Sequence, residues 1–304
     1  MPDVPIKAIA VWDTVGSLGV PEINIWPGIR LFSKTRHEYS FINTEVAPNI
    51  ENAFQVLALD EQRKPFAPTV WESPNPATSS LKTLRQCWFP GVHSAVGGGY
   101  VDSGISDLTL AWMITQLSPF LEFQKDYVLE QQSLNVRWYQ NQGLKPPGWA
   151  MGMIKRSDEG FLNTLTGRQV RTPGDYYAID PTTGKPTTKK LVDTHEFIHP
   201  SVRYRKWERG PGLANSNNVV PPGSLYSPLA LQEPLWHYYS PEETPELKGK
   251  EDELKKWEGF GIWVNTETGT FIVEEKILDD SSEMQLVDAW PNTKRDLEAW
   301  SFEP

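Results

Sequence analysis

Hydrophobic and polar positions fall into short blocks along the first 120 residues. Ile6-Lys7-Ala8-Ile9-Ala10-Val11-Trp12 is apolar and β-prone, and it breaks at Asp13-Thr14-Val15-Gly16-Ser17-Leu18-Gly19. That pattern predicts a buried strand entering a loop. Beyond Pro48-Asn49, the residues Ile50, Ala53, Phe54, Leu57 and Ala58 recur at helical spacing, which predicts a helix over 50–59 before the prolines at 65, 68, 74 and 76 impose extended chain. Gln86-Cys87-Trp88-Phe89 is short, apolar and closed by Pro90-Gly91, so it reads as a second strand. His93-Ser94-Ala95-Val96-Gly97-Gly98-Gly99-Tyr100 follows as a glycine-rich turn.

Ser106 suits an N-cap and Asp107 the positive first turn of a helix, and Leu108, Ala111, Trp112 and Thr115 share one face. A helix over 107–117 is expected, with another over 124–140 closed by Gly143. From 144 to about 225 the Pro, Gly, Thr and Asn content predicts a loop-dominated stretch. Gly259 to Val264 and Thr270 to Val273 flank a polar turn and predict a hairpin whose role the pattern does not reveal. The strand and helix alternation through residue 120 favours the α/β class, a parallel sheet covered by helices.

Composition narrows the classes. Hydrophobic residues make up 38% of the 304, with 13 Trp, 12 Phe and 10 Tyr, which is a folding composition. With 29 basic against 39 acidic side chains the charge is −10, and no basic cluster could neutralise a run of phosphates, so nucleic acid is not an expected partner. The single Cys87 can form neither an internal disulfide nor a cysteine-rich metal site, which leaves a cytoplasmic location as the default. No apolar run approaches the length that crosses a bilayer.

Reactive groups in such sheets sit beyond the carboxyl ends of the strands, where Asp13 and His93 are both expected. A carboxylate there can accept the Nδ1 proton of an imidazole, fixing the ring so that Nε2 can deprotonate a serine. Their order suits the serine, acid, histidine sequence of α/β-hydrolases. The two should lie across adjacent strand ends within hydrogen-bond reach. The competing roles are a turn aspartate and a structural histidine.

Val11 to Gly19 and Trp88 to Tyr100 resemble the two most characteristic stretches of an uncharacterised α/β-hydrolase domain family, which includes bacterial type VI secretion phospholipase effectors and many fungal proteins. Asn49 through Phe66, Ser106 to Met113, Arg171-Thr172-Pro173-Gly174 and Ile198-His199-Pro200-Ser201-Val202-Arg203 are also similar to fungal members. The resemblance spans roughly 6–205. It implies a lipid or ester hydrolase built on Ser, Asp and His, with Asp13 and His93 as the acid and the base; separately, no cofactor and no metal are expected. A lipid substrate would make a membrane surface a partner.

Two departures stand against it. The family's nucleophile lies in a Gly-Phe-Ser-Arg-Gly type elbow before the strand that ends in Asp13, and only twelve residues precede Asp13. Ser17 lacks the first glycine of G-x-S-x-G and follows the acid, so it reads as loop structure. Ala95 stands where the family commonly has an aspartate two residues after the histidine. The expected fold is therefore an N-terminally incomplete α/β-hydrolase-like sheet over 1–205 with a C-terminal extension over 206–304. The function expected is that of a serine esterase or phospholipase domain inactive as it stands; the alternative is a non-catalytic binding protein or a fragment of a longer hydrolase.

His195-Glu196-Phe197-Ile198-His199 matches H-E-x-x-H, which on a helix would place two zinc ligands one turn apart. Pro200 pushes His199 out of helical geometry and no third ligand appears at a recognised spacing, so no zinc site is expected. His199 is kept as the runner-up site histidine or as a packing residue. Asp102 and Asp107 are carboxylates suited to a cation, but capping explains them more cheaply.

Overall fold

Short apolar runs buried on both faces build the centre of the molecule. The computed structural model describes residues 4–15, 23–26, 29–31, 45–159, 167–180, 186–232, 234–243, 245–290, 293–294 and 297, the segments 23–26 and 29–31 by their backbone alone. Its strands are β1 (Ile9–Trp12), β2 (Ile23–Trp26), β3 (Ile29–Leu31), β4 (Asn52–Ala58), β5 (Thr83–Phe89), β6 (Tyr177–Ile179), β7 (Pro186–Lys190), β8 (Glu196–Ile198), β9 (Trp236–Tyr239), β10 (Ile262–Asn265) and β11 (Phe271–Glu274). Seven of them form one sheet in the order β1-β4-β5-β8-β11-β10-β9. The first five run parallel to one another, and β10 runs antiparallel to both β11 and β9. This is an α/β fold, as the alternation in the sequence predicts.

The helix expected over 50–59 is strand β4. Every residue of β4 is buried, because a strand paired on both edges and covered on both faces needs apolar side chains at odd and even positions alike. Such a run imitates helical spacing over this length. Its polar members are satisfied inside: Asn52 Nδ2 donates to Lys7 O at 2.8 Å, and Gln55 Nε2 donates to Thr69 O and to Gln86 Oε1, each at 2.9 Å.

The helices are α1 (His93–Val96), α2 (Gly104–Leu117), α3 (Tyr127–Asn141), α4 (Pro200–Trp207), α5 (Glu251–Lys255) and α6 (Ser282–Asp288). α2 starts earlier than Ser106. Asp102 Oδ1 accepts the Gly104 N–H at 3.0 Å, and Ser103 Oγ donates to Asp107 Oδ2 at 2.8 Å, so the turn before Ser106 is already organised. α2 buries residues all round, from Ile105 to Ile114, because α1, α3 and α6 all pack on it. The expected hairpin is β10–β11, and β11 pairs with β8 in the central sheet. Among the described residues no helix is long and apolar enough to cross a membrane.

Candidate active site

Chain direction brings the carboxyl ends of β1, β4 and β5 to one edge of the sheet. Asp13 follows β1 directly, with φ of 46°, a left-handed turn held by its N–H donating to Val56 O at 2.7 Å. The turn sends its carboxylate across the end of β4. Oδ1 accepts the Ala58 N–H at 2.9 Å, and Oδ2 lies 2.8 Å from His93 Nδ1. The two strand ends are not adjacent as expected: β4 lies between β1 and β5, and the Asp13 side chain spans it.

His93 opens α1, four residues past β5. Gly91 makes the intervening turn at φ of 125°, where a Cβ would stand 3.1 Å from that of Ala95 and 3.2 Å from Ile105 Cγ2. Only glycine avoids both the backbone strain and this crowding. Ala95 is itself buried in α1. Asp13 is 0% exposed and the His93 side chain 32%, so the ring joins a sealed carboxylate to the outside.

The chain after β4 grips this turn. Asp60 Oδ2 accepts the Gly91 N–H at 2.7 Å and the Tyr226 hydroxyl at 2.9 Å, and burial pushes the Asp60 carboxyl up to about 6 against these bonds. Glu61 Oε2 accepts the His93 N–H at 3.2 Å, while Arg63 Nε and Nη2 hold the two Glu61 oxygens at 2.9 Å each. The Arg63 guanidinium lies 3.5 Å over the Phe66 ring, whose own contact with the His93 ring is edge-on at 5.2 Å.

A residue that spacing did not single out completes the arrangement. Arg171 is buried, and its Nη1 donates to Asp13 Oδ1 at 2.6 Å and its Nη2 to Oδ2 at 3.0 Å. Burial alone would raise the Asp13 carboxyl; the Arg171 charge and the bonds from His93, Arg171 and Ala58 outweigh it and hold the group below the ordinary carboxylate range. Arg171-Thr172-Pro173-Gly174 is visible in the sequence only through its resemblance to other proteins, and no spacing rule links Arg171 to a residue 158 positions away.

The H-E-x-x-H segment is a strand, not a helix. Glu196 belongs to β8, where its Oε2 accepts the Trp88 indole N–H at 2.8 Å and the Gly174 N–H at 3.0 Å. His199 caps α4, and both ring nitrogens are engaged: Nδ1 with Ser201 Oγ at 2.7 Å and Nε2 with Glu283 Oε1 at 3.0 Å. Ser, His and acid thus meet here, but all three are buried and His199 is 1% exposed. Burial pushes Glu283 up to about 8 and His199 down to about 3, so the pair is neutral at neutral pH. Asp102 accepts the Asn135 amide at 3.1 Å and the Tyr139 hydroxyl at 2.6 Å, acting as a tie between α2 and α3. Ser17 lies outside the described residues.

Sheet and site define an α/β protein with an aspartate–histidine pair at the carboxyl edge of its parallel strands. Residues 1–116 match the model of the type VI secretion system (T6SS) phospholipase effector Tle1-like catalytic domain, a stretch that contains Asp13 and His93 and ends before Arg171. No curated protein and no solved structure matches the chain.

Proposed function

We propose that the chain carries the acid and base of a serine hydrolase acting on lipid esters, on an α/β-hydrolase sheet. The observation that carries this reading is the 2.8 Å bond between Asp13 Oδ2 and His93 Nδ1, inside the stretch similar to a phospholipase effector domain. With its Nδ1–H donated in a hydrogen bond to the Asp13 carboxylate, His93 presents an unprotonated Nε2 as the base. A serine hydroxyl would pass its proton to Nε2 as its oxygen attacks the ester carbonyl. The imidazolium would then protonate the departing alcohol, and water would repeat the sequence to free the fatty acid and the serine. Backbone N–H groups would hold the transient oxyanion.

The 304 residues contain no G-x-S-x-G elbow. The nucleophile is therefore read as coming from outside this sequence, and the same observation favours a second reading, a non-catalytic binding protein derived from a hydrolase. Labelling with a fluorophosphonate probe and phospholipase turnover test both, on the 304 residues and on a polypeptide extended upstream in frame to an elbow. The expected outcome is none from the first and activity from the second that His93→Ala abolishes. Turnover by the 304 residues that survives Ser17→Ala would overturn the triad reading. Inactivity of both would favour the binding protein.

A further inference from the structure

The contacts around Asp13 close on themselves. Arg171 Nη1 and Nη2 take one lone pair from each Asp13 oxygen, Ala58 N–H takes a second from Oδ1, and the remaining direction at Oδ2 faces His93 Nδ1. Arg171 Nη2 also donates to Phe66 O at 2.8 Å, and the Phe66 ring meets the His93 ring edge-on. Asp13, Arg171, Phe66 and His93 thus form a ring of direct contacts in which the guanidinium touches both supports of the imidazole, its carboxylate and its packing partner.

The segment that delivers Arg171 is tied down on both sides. Gln169 N–H donates to Gln62 O at 2.9 Å, and Gly174 N–H donates to Glu196 Oε2 at 3.0 Å, with Tyr176 stacked on Trp88. The planar fork of arginine fixes the plane of a carboxylate, which a lysine ammonium does not. Simple charge neutralisation would need no bond to Phe66 and no two-pronged geometry.

We propose that Arg171 is a positioning residue for the Asp13–His93 pair, orienting the imidazole through the carboxylate plane and through Phe66. The role in catalysis rests on the hydrolase reading above; the orientation does not. It assigns to the site a residue outside the 1–116 stretch similar to the effector domain.

Nitrogen–proton NMR of the histidine rings in the 304-residue chain tests it without turnover. The His93 Nδ1 proton bound to Asp13 should resonate far downfield, identified by its loss in His93→Ala. Arg171→Lys keeps the charge and loses the fork; it should leave the chain folded by circular dichroism while the proton exchanges with solvent about tenfold faster, the loss expected for one hydrogen bond. Arg171→Met should abolish the resonance. A resonance unchanged in Arg171→Lys overturns the proposal, and so does failure of that variant to fold, which would assign Arg171 to the architecture instead. In a hydrolytically active longer polypeptide, Arg171→Lys should lower kcat about a hundredfold at unchanged KM; an unchanged kcat overturns the positioning role. Absence of hydrolysis from every polypeptide, with the resonance behaving as expected, would defeat the hydrolase reading alone.

Discussion

Two histidines follow the carboxyl ends of neighbouring parallel strands, His93 after β5 and His199 after β8, each beside a carboxyl group and an aromatic ring. What separates them is the charge around the carboxyl. Asp13 has a buried guanidinium on both oxygens and stays ionised at 0% exposure. Among the described residues no guanidinium is bonded to Glu283, and burial keeps it protonated up to about 8. His93 reaches the surface, while His199 lies under Phe89, whose ring stacks on it at 4.3 Å, and is spent on capping α4. Histidine and carboxyl groups at neighbouring strand ends therefore give one pair that joins an ionised carboxylate to the surface and one that is sealed and neutral.

The largest way to break this contrast is to remove the guanidinium. Arg171→Met leaves a buried carboxylate unpaired and should cost about 3–5 kcal/mol in chemical denaturation. Adding Asp13→Asn should recover much of that loss, and a double-mutant cycle showing no coupling would mean the two charges do not support each other. His199→Ala should come next, at about 2–4 kcal/mol, because it empties a closed site and strips partners from Ser201 and Glu283.

Titration separates the pairs further. Glu283 is raised from 4.5 to about 8, so its contribution is complete below about 4.5 and is lost as pH rises through 8. His199 is lowered from 6.5 to about 3, so its contribution is complete above about 6.5 and is lost as pH falls through 3. Between 4.5 and 6.5 the two slopes cancel, and the pair should lose about 2 kcal/mol between pH 6.5 and 8. Stability curves of the chain and of Glu283→Gln check this, the variant losing that alkaline fall. The smallest effect belongs to His93→Ala, about 1 kcal/mol for a half-buried ring with one side-chain bond. Diethyl pyrocarbonate should accordingly modify His93 in the folded chain and leave His199 untouched; equal modification of both would erase the distinction.

Local pattern carried the strands that matter most to the site. The runs ending at Asp13 and Phe89 are both apolar, short and cut off by turn residues, and both proved to be parallel strands with the acid and the imidazole just past their ends. β4 imitates a helix because a strand buried on both faces has no alternation left, and its polar Asn52 and Gln55 look misplaced until their partners on neighbouring segments are known. α2 starts three residues before the expected 107 because Asp102, tied to Asn135 and Tyr139, organises the turn earlier than Ser106 suggests.

The sequence by itself determined the α/β class, the strand ends that hold Asp13 and His93, and the β10–β11 hairpin, since each depends on side-chain pattern within a dozen or so residues. Only the tertiary structure decided that β4 stands between those two strand ends, that the hairpin joins the central sheet, and that burial leaves the runner-up histidine neutral beside Glu283. It also decided that Arg171 closes on Asp13 from 158 residues away. A buried charge must find its counter-charge somewhere in the fold, but the chain separation of the partners is set by how the sheet is wound, and no local pattern records it.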